Sequence, residues 1–301
     1  MKTNPTRAMA IAVAIAIGLS GCVSAESLDG GDSAASGTIV VGSQDYYSNE
    51  IVAEIYAQAL EAAGYTVERD FRIGQREVYV PEIEAAGVDL FPEYTGPLLQ
   101  YWEPDTSARL TDDVYAALVE AAPEGVRVLD QSAATDQDSY VVTREFSEQY
   151  GVTSIEDLAH VPVPLILGGN SEGENRPNGP AGLEATYGVT VDFTPIEDGG
   201  GPLTLKALQD NTIQLAILYT ADPVLGTNDL VTLEDTRGLF LASHVVPIAS
   251  AKIDAKAAAI INAISAVLTP EGLVALNAQS VEDQSPARTI AAEWLENNPV
   301  S

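Results

Sequence analysis

The chain has 301 residues, 46% of them hydrophobic, enough for one or two domains with buried cores. Its 44 Asp and Glu against 14 Lys and Arg give a formal charge of -30, a field that repels nucleic acid and anionic lipid headgroups and favours encounter with cationic solutes. One cysteine excludes a disulfide framework, and two histidines, His160 and His244, without ligand-spaced partners argue against zinc.

The N-terminus carries Lys2 and Arg7, an apolar run over residues 8–19, then Leu19-Ser20-Gly21-Cys22. A basic start, an apolar run too short to span a bilayer comfortably and small residues before a cleavage point describe a secretory signal over residues 1–21. Leu-Ser-Gly-Cys resembles the bacterial lipobox. Cys22 is therefore the expected lipidated N-terminus of a mature chain anchored outside the cytoplasmic membrane. Residues 22–37 are small and polar without apolar period, and read as a flexible tether.

Residues 37–43 predict a first strand ending in a small-residue loop. Apolar residues at Ile51, Val52, Ile55, Tyr56, Ala59 and Leu60 keep the helical period over 49–63, and Gly64 ends that helix. A strand over 65–69 and a helix over 78–86 follow, and the run Val88-Asp89-Leu90-Phe91 leads into Pro92-Glu93-Tyr94-Thr95-Gly96. Strand, helix, strand, helix, strand is the mark of a parallel sheet with crossover helices. A helix over 111–122 and a strand over 126–129 extend this first part, which covers 38–137.

A second unit over 138–238 opens with a strand at 139–143. Ser154 is the expected N-cap of a helix with Asp157 in its first turn. Strands at 163–167, 189–193 and 213–219 alternate with helices at 182–187 and 203–209. A strand over 239–248 then returns the chain to the first unit, and helical segments at 255–268, 270–278 and 289–296 close it over 239–301. An α/β chain that leaves one lobe, builds another and returns has a cleft between the two, the preferred place for a ligand.

Three strands carry a tyrosine at or beside one of their ends: Tyr94, Tyr140 and Tyr219. Phenol faces brought together from separate strands form a cage for a cation, and the acidic field points the same way.

Gly42-Ser43-Gln44-Asp45-Tyr46, the Ile-Val-Ala-Glu-Ile-Tyr-Ala-Gln helix after it, Gly74-Gln75-Arg76-Glu77-Val78 and Asp89-Leu90-Phe91-Pro92-Glu93-Tyr94-Thr95-Gly96 resemble osmoprotectant-binding lipoproteins, the glycine betaine, carnitine and choline receptors of ABC importers. Leu218-Tyr219-Thr220-Ala221-Asp222 is similar to the family's aromatic-Ser/Thr-x-Asp segment. The resemblance implies a type II periplasmic-binding-protein fold and a monomer that holds a quaternary-ammonium solute between its lobes, with no cofactor. It also implies delivery to a membrane permease driven by an ATPase. By position Tyr94, Tyr140 and Tyr219 become cage walls and Gln44 a polar contact. Thr95 and Thr220 are candidates for a ligand carboxylate. The chain departs from the pattern at Pro97, where a polar residue is common, and at 194–202, which lacks an aromatic wall; Tyr46 or Tyr47 is the candidate to fill that gap.

Two other readings rest on residues. A binding protein for another small polar solute, such as an amino acid, fits the same lobes. Gly169-Asn170-Ser171-Glu172-Gly173 fits the nucleophile-elbow pattern of a serine hydrolase, with His244 downstream, although Pro177, Gly179 and Pro180 oppose the helix an elbow needs. Arg76 beside Glu77 reads as a structural ion pair, and Asp105, Asp112 and Asp113 as solvated acids or helix caps rather than a calcium loop.

Overall fold

A computed structural model describes residues 37–226 and 229–300. The expected signal sequence, Cys22 and the tether up to residue 36 lie outside the described residues. The chain runs β1 (Ile39–Gly42), α1 (Tyr47–Ala62), β2 (Val67–Asp70), α2 (Arg76–Glu84), β3 (Leu90–Tyr94), α3 (Thr95–Trp102), α4 (Thr111–Ala121) and β4 (Arg127–Val128). Next come β5 (Asp138–Thr143), α5 (Arg144–Tyr150), β6 (Ile166–Gly169), α6 (Pro180–Tyr187), β7 (Asp192–Pro195), α7 (Pro202–Gln209), β8 (Leu215–Tyr219) and β9 (Leu230–Thr232). It ends with β10 (Val245–Ala249), α8 (Ala255–Val267), α9 (Pro270–Val281) and α10 (Ala287–Asn297).

The strands form two five-stranded sheets, ordered β2-β1-β3-β10-β4 and β7-β6-β8-β5-β9. In each, three neighbouring strands are parallel and the next is antiparallel: β10 against β3 and β4 in the first, β5 against β8 and β9 in the second. The two orders are the same pattern, with β5 standing in the second sheet where β10 stands in the first. The shared feature is topology, and different residues satisfy it.

Each sheet is covered on both faces. Ile39, Val41, Leu90 and Val245 meet α1, α8, α9 and α10 on one face of the first sheet, while Phe91, Val246 and Ile248 meet α2 and α4 on the other. In the second, Tyr140, Val142 and Leu167 pack with Phe146 and Leu183, and Val141, Ala216 and Leu218 with Leu208. Burial on both faces explains the near-continuous apolar runs of these strands.

The expected strand over 239–248 is shorter. Leu239 and Phe240 belong to the second lobe's core, Leu241 to the first, and pairing begins only at Val245. The two connections between lobes touch each other there, through an antiparallel bridge between Thr135 and His244. Ser154 initiates a turn of 3-10 helix, Ile155–His160, instead of an α-helix. Asp157 closes it by accepting from the Ser154 backbone N–H and hydroxyl, both at 2.8 Å. Such a cap is worth about 1 kcal/mol. Helices α3 and α5 were not anticipated.

Among the described residues no single helix is long and apolar enough to cross a membrane.

Candidate functional site

Parallel strands of α/β lobes present their carboxyl ends to the ligand crevice. Here those ends deliver aromatic rings from both sheets. Tyr46 follows β1, Tyr94 ends β3 and Tyr219 ends β8. Together with Gln44, Arg76, Pro97, Asp136, Asp138 and Arg176 they line one small cavity of about 20 Å³ between the lobes.

The rings make a corner rather than parallel walls. Tyr46 and Tyr219 lie 4.6 Å apart between centroids at 49°, across the cleft, and Tyr47 meets Tyr46 edge-on at 5.0 Å. Burial drives the Tyr46, Tyr94 and Tyr219 phenols well above their ordinary pKa, so all three remain neutral with their π-faces intact. Gln44 Nε2 and Tyr46 Oη are buried and meet no hydrogen-bond partner among the described residues. A buried donor left unmade is costly, so both are poised to serve a guest.

Asp136 lies on the first connection between lobes and is 3% exposed. One carboxyl oxygen accepts from the Ala221 N–H at 3.0 Å, and the other is 3.5 Å from the Tyr94 hydroxyl. Burial raises its pKa to about 7; the Ala221 bond and the nearby Tyr46 hydroxyl offset part of that rise, and Asp138 and Asp222 add to it. It joins none of the ion pairs among the described residues.

The two arginines are committed. Arg76, expected to pair with Glu77, pairs instead with buried Glu93, its Nε 2.7 Å from Oε1. Glu93 also accepts from the Tyr79 hydroxyl at 2.5 Å and from the Tyr94 N–H. Glu77 binds Arg176 from the other lobe at 3.1 Å, and Arg176 reaches Gln75 at 3.3 Å. This clasp bridges the cleft mouth, beside a hollow of about 280 Å³ that shares Arg76, Pro97, Asp138 and Arg176 with the cavity.

Other expected residues sit elsewhere. Tyr140 is fully buried in the second lobe's core, edge-on to Phe240, with its hydroxyl donating to the Asn178 carbonyl at 2.6 Å. The reason is register. β5 runs antiparallel to β8, so its first residue, Asp138, stands opposite Tyr219 at the cleft. Tyr140 is two residues deeper, about 7 Å further from the opening. Thr95 begins α3 and is buried, its hydroxyl donating to the Ala242 carbonyl and accepting from the His244 N–H. Thr220 is exposed and accepts from the Gln137 N–H. Both threonines fasten strand ends to the connections between lobes. The segment 194–202 contributes backbone: a Cβ on Gly199 would lie 3.7 Å from the Tyr46 ring.

Ser171 opens a short 3-10 helix and its N–H donates to Glu197, while the His244 ring is held by Thr111 and Ser132 of the other lobe. Serine and histidine share no contact on which a proton relay could run. Asp136, Asp138 and Arg176 were missed by sequence reasoning. Asp136 and Asp138 lie in a polar stretch indistinguishable from a linker, and Arg176 in a Pro- and Gly-rich loop.

The sequence model of the OpuAC family, the substrate binding domain of ABC-type glycine betaine transport system, matches residues 37–297. The glycine betaine-binding protein YehZ of Escherichia coli strain K12 is 22% identical over 87% of this chain and 90% of its own. A solved glycine betaine/carnitine/choline ABC transporter structure superposes with a TM-score of 0.69 at 17% identity, over 86% of this chain and 98% of that one. A choline binding protein solved in complex with choline superposes at 0.63 and 14% identity, over 90% and 91%.

Proposed function

The chain belongs to the family of substrate-binding domains of ABC-type glycine betaine transport systems, and on that premise we propose that it captures a quaternary-ammonium compatible solute in the tyrosine-lined cavity and delivers it to a permease. The observation that carries the ligand class is the corner of Tyr46, Tyr94 and Tyr219 at the carboxyl ends of strands from both sheets. A quaternary ammonium has no N–H to donate, so π-faces and shape must hold it. Each face within about 6 Å contributes about 0.5–2 kcal/mol, and three together with Gln44 as a polar contact support roughly micromolar affinity.

The cavity of about 20 Å³ holds little more than one water. A trimethylammonium group enters only when the lobes part, and the Arg176–Glu77 clasp re-forms over it on closure. Binding thereby shifts an open–closed equilibrium, which is the form a permease reads.

Calorimetric titration of residues 37–301 with glycine betaine, carnitine, choline and unmethylated amino acids tests this reading. Saturable binding of at least one methylated ammonium compound, with amino acids silent, is expected. Tight binding of an amino acid alone would overturn it.

The signal-like residues 1–21 and the lipobox-like ending at Cys22 support a lipid anchor outside the cytoplasmic membrane. A Cys22→Ala variant is expected in the soluble extracytoplasmic fraction while the parent sediments with membranes. Equal sedimentation of both would refute the anchor.

A further inference from the structure

The geometry points to Asp136 as the residue that makes this cavity select a net cation, a choline-like quaternary ammonium with a neutral tail, over zwitterionic betaines, and that releases a proton when the cation is captured. This rests on the quaternary-ammonium reading above and narrows it.

The cavity holds four ionisable side chains besides its tyrosines: Arg76, Arg176, Asp136 and Asp138. Arg76 is already bound by Glu93, and Arg176 by Glu77. Each guanidinium thus already has its charge balanced by a glutamate. Asp138 accepts from Asn178 at 2.7 Å. Asp136 is the acid left buried with no cation, beside one backbone N–H, a long contact to Tyr94 and the Tyr46 hydroxyl. An ionised carboxylate is expensive to bury unless a positive charge is brought to it. A bound trimethylammonium in the tyrosine corner supplies that charge. A betaine brings a carboxylate as well, which Asp136 and Asp138 both repel. A hydroxyl tail avoids the repulsion and can accept from the unpartnered Gln44 Nε2.

Burial and the neighbouring acids outweigh the Ala221 N–H and the Tyr46 hydroxyl, which favour the ionised form of Asp136. Tyr94 faces it from β3, Tyr46 and Tyr47 from the start of α1, Tyr219 from the end of β8, Asp222 just beyond, and Asp138 from β5. The phenols are neutral and the acids oppose ionisation. Arg76 and Arg176 line the same cavity, each bound to its glutamate, and the neighbouring His244 ring turns away to Ser132 and Thr111. With the lobes closed and no cation beside it, burial pushes the carboxyl up to about 7. On capture the cation displaces its proton to solvent, and no covalent bond to carbon changes. Affinity for a cation then falls about tenfold for each pH unit below about 7 and is flat above it, the sign set by a pKa that the ligand lowers. Asp136 also sits on a connection between lobes, its carbonyl accepting from Ser243 on the other connection at 3.2 Å. Its charge state is thus placed where the lobes rotate.

The test is calorimetry with choline and glycine betaine from pH 5.5 to 8.5, in buffers of different ionisation enthalpy so that released protons are counted. Expected for the parent chain are a choline preference of tenfold or more, release of nearly one proton per choline at pH 5.5, none at pH 8.5, and about thirtyfold weaker binding at the acid end. Asp136→Asn should abolish the proton release and erase the choline preference. Betaine binding as tight as choline with no proton released would overturn this inference while leaving the quaternary-ammonium reading standing. Binding of neither compound would remove this inference, and silence of carnitine as well would remove the quaternary-ammonium reading with it. The proton count is read on the parent chain, so it decides the matter even where the variant folds poorly.

Discussion

Replacing Glu93 by alanine is expected to destabilise the protein by about 3–5 kcal/mol, read as a lowered urea midpoint with an unchanged slope. Glu93 is fully buried, and its two oxygens accept from Arg76, the Tyr79 hydroxyl and the Tyr94 N–H. Removing it leaves the Arg76 guanidinium, only 8% exposed at its side chain, without a counter-charge. That uncompensated charge, with two orphaned donors, is the source of the cost. An exposed pair such as Lys206–Asp210 contributes only about 0.3–0.5 kcal/mol by comparison. Because Arg76 and Tyr94 line the cavity, the same variant should also loosen the ligand site. A loss below about 1 kcal/mol would mean that Arg76 finds another acid or water, and that Glu93 does not organise this end of β3.

The α/β alternation was legible because strands buried on both faces leave apolar runs and helices leave a 3.6-residue period. The residues 90–94 show what sequence carries and what it hides. Alternation sends Leu90 and Tyr94 to one face of the sheet and Phe91 and Glu93 to the other. A glutamate inside such a run announces a buried partner, but nothing local names Arg76. The next residues, Thr95 and Gly96, open the first turn of α3. Pro97 is tolerated there because first-turn N–H groups have no intrahelical acceptor. Gly96 is required by close approach: a Cβ would stand 2.8 Å from the Ala242 carbonyl oxygen and from Leu241 Cβ, on the returning connection. The Gly96 requirement depends on residues about 145 positions away.

The tyrosines divide in the same way. A ring at a strand end is visible in sequence, but which end faces the cleft depends on strand direction. Tyr94 and Tyr219 close strands that run toward the cleft, while Tyr140 lies on one that runs away from it. Antiparallel pairing is a long-range property with no local signature in 138–143. Tyr46 stands on no strand and is placed by the turn between β1 and α1.

Tyr219→Leu and Tyr94→Leu are each expected to weaken binding of a quaternary ammonium by about tenfold to thirtyfold, while Tyr140→Phe leaves it within a factor of two. Leucine keeps most of the apolar bulk and removes the π-face, so the loss reports the cation contact rather than a collapsed core. Tyr219 is the cleaner position because it is half-buried at the cavity edge, whereas Tyr94 also packs in the first lobe's core. Tyr219→Phe should bind nearly as well as the parent, since the ring face remains. Tyr140→Phe loses the bond to the Asn178 carbonyl and should cost about 1 kcal/mol of stability without touching affinity. The competing view, in which Tyr140 is a cage wall, requires Tyr140→Leu to weaken binding as much as Tyr219→Leu does. Calorimetric titration of Tyr140→Leu alongside Tyr219→Leu separates them: equal weakening in both would make Tyr140 a cage wall in addition to the corner of Tyr46, Tyr94 and Tyr219.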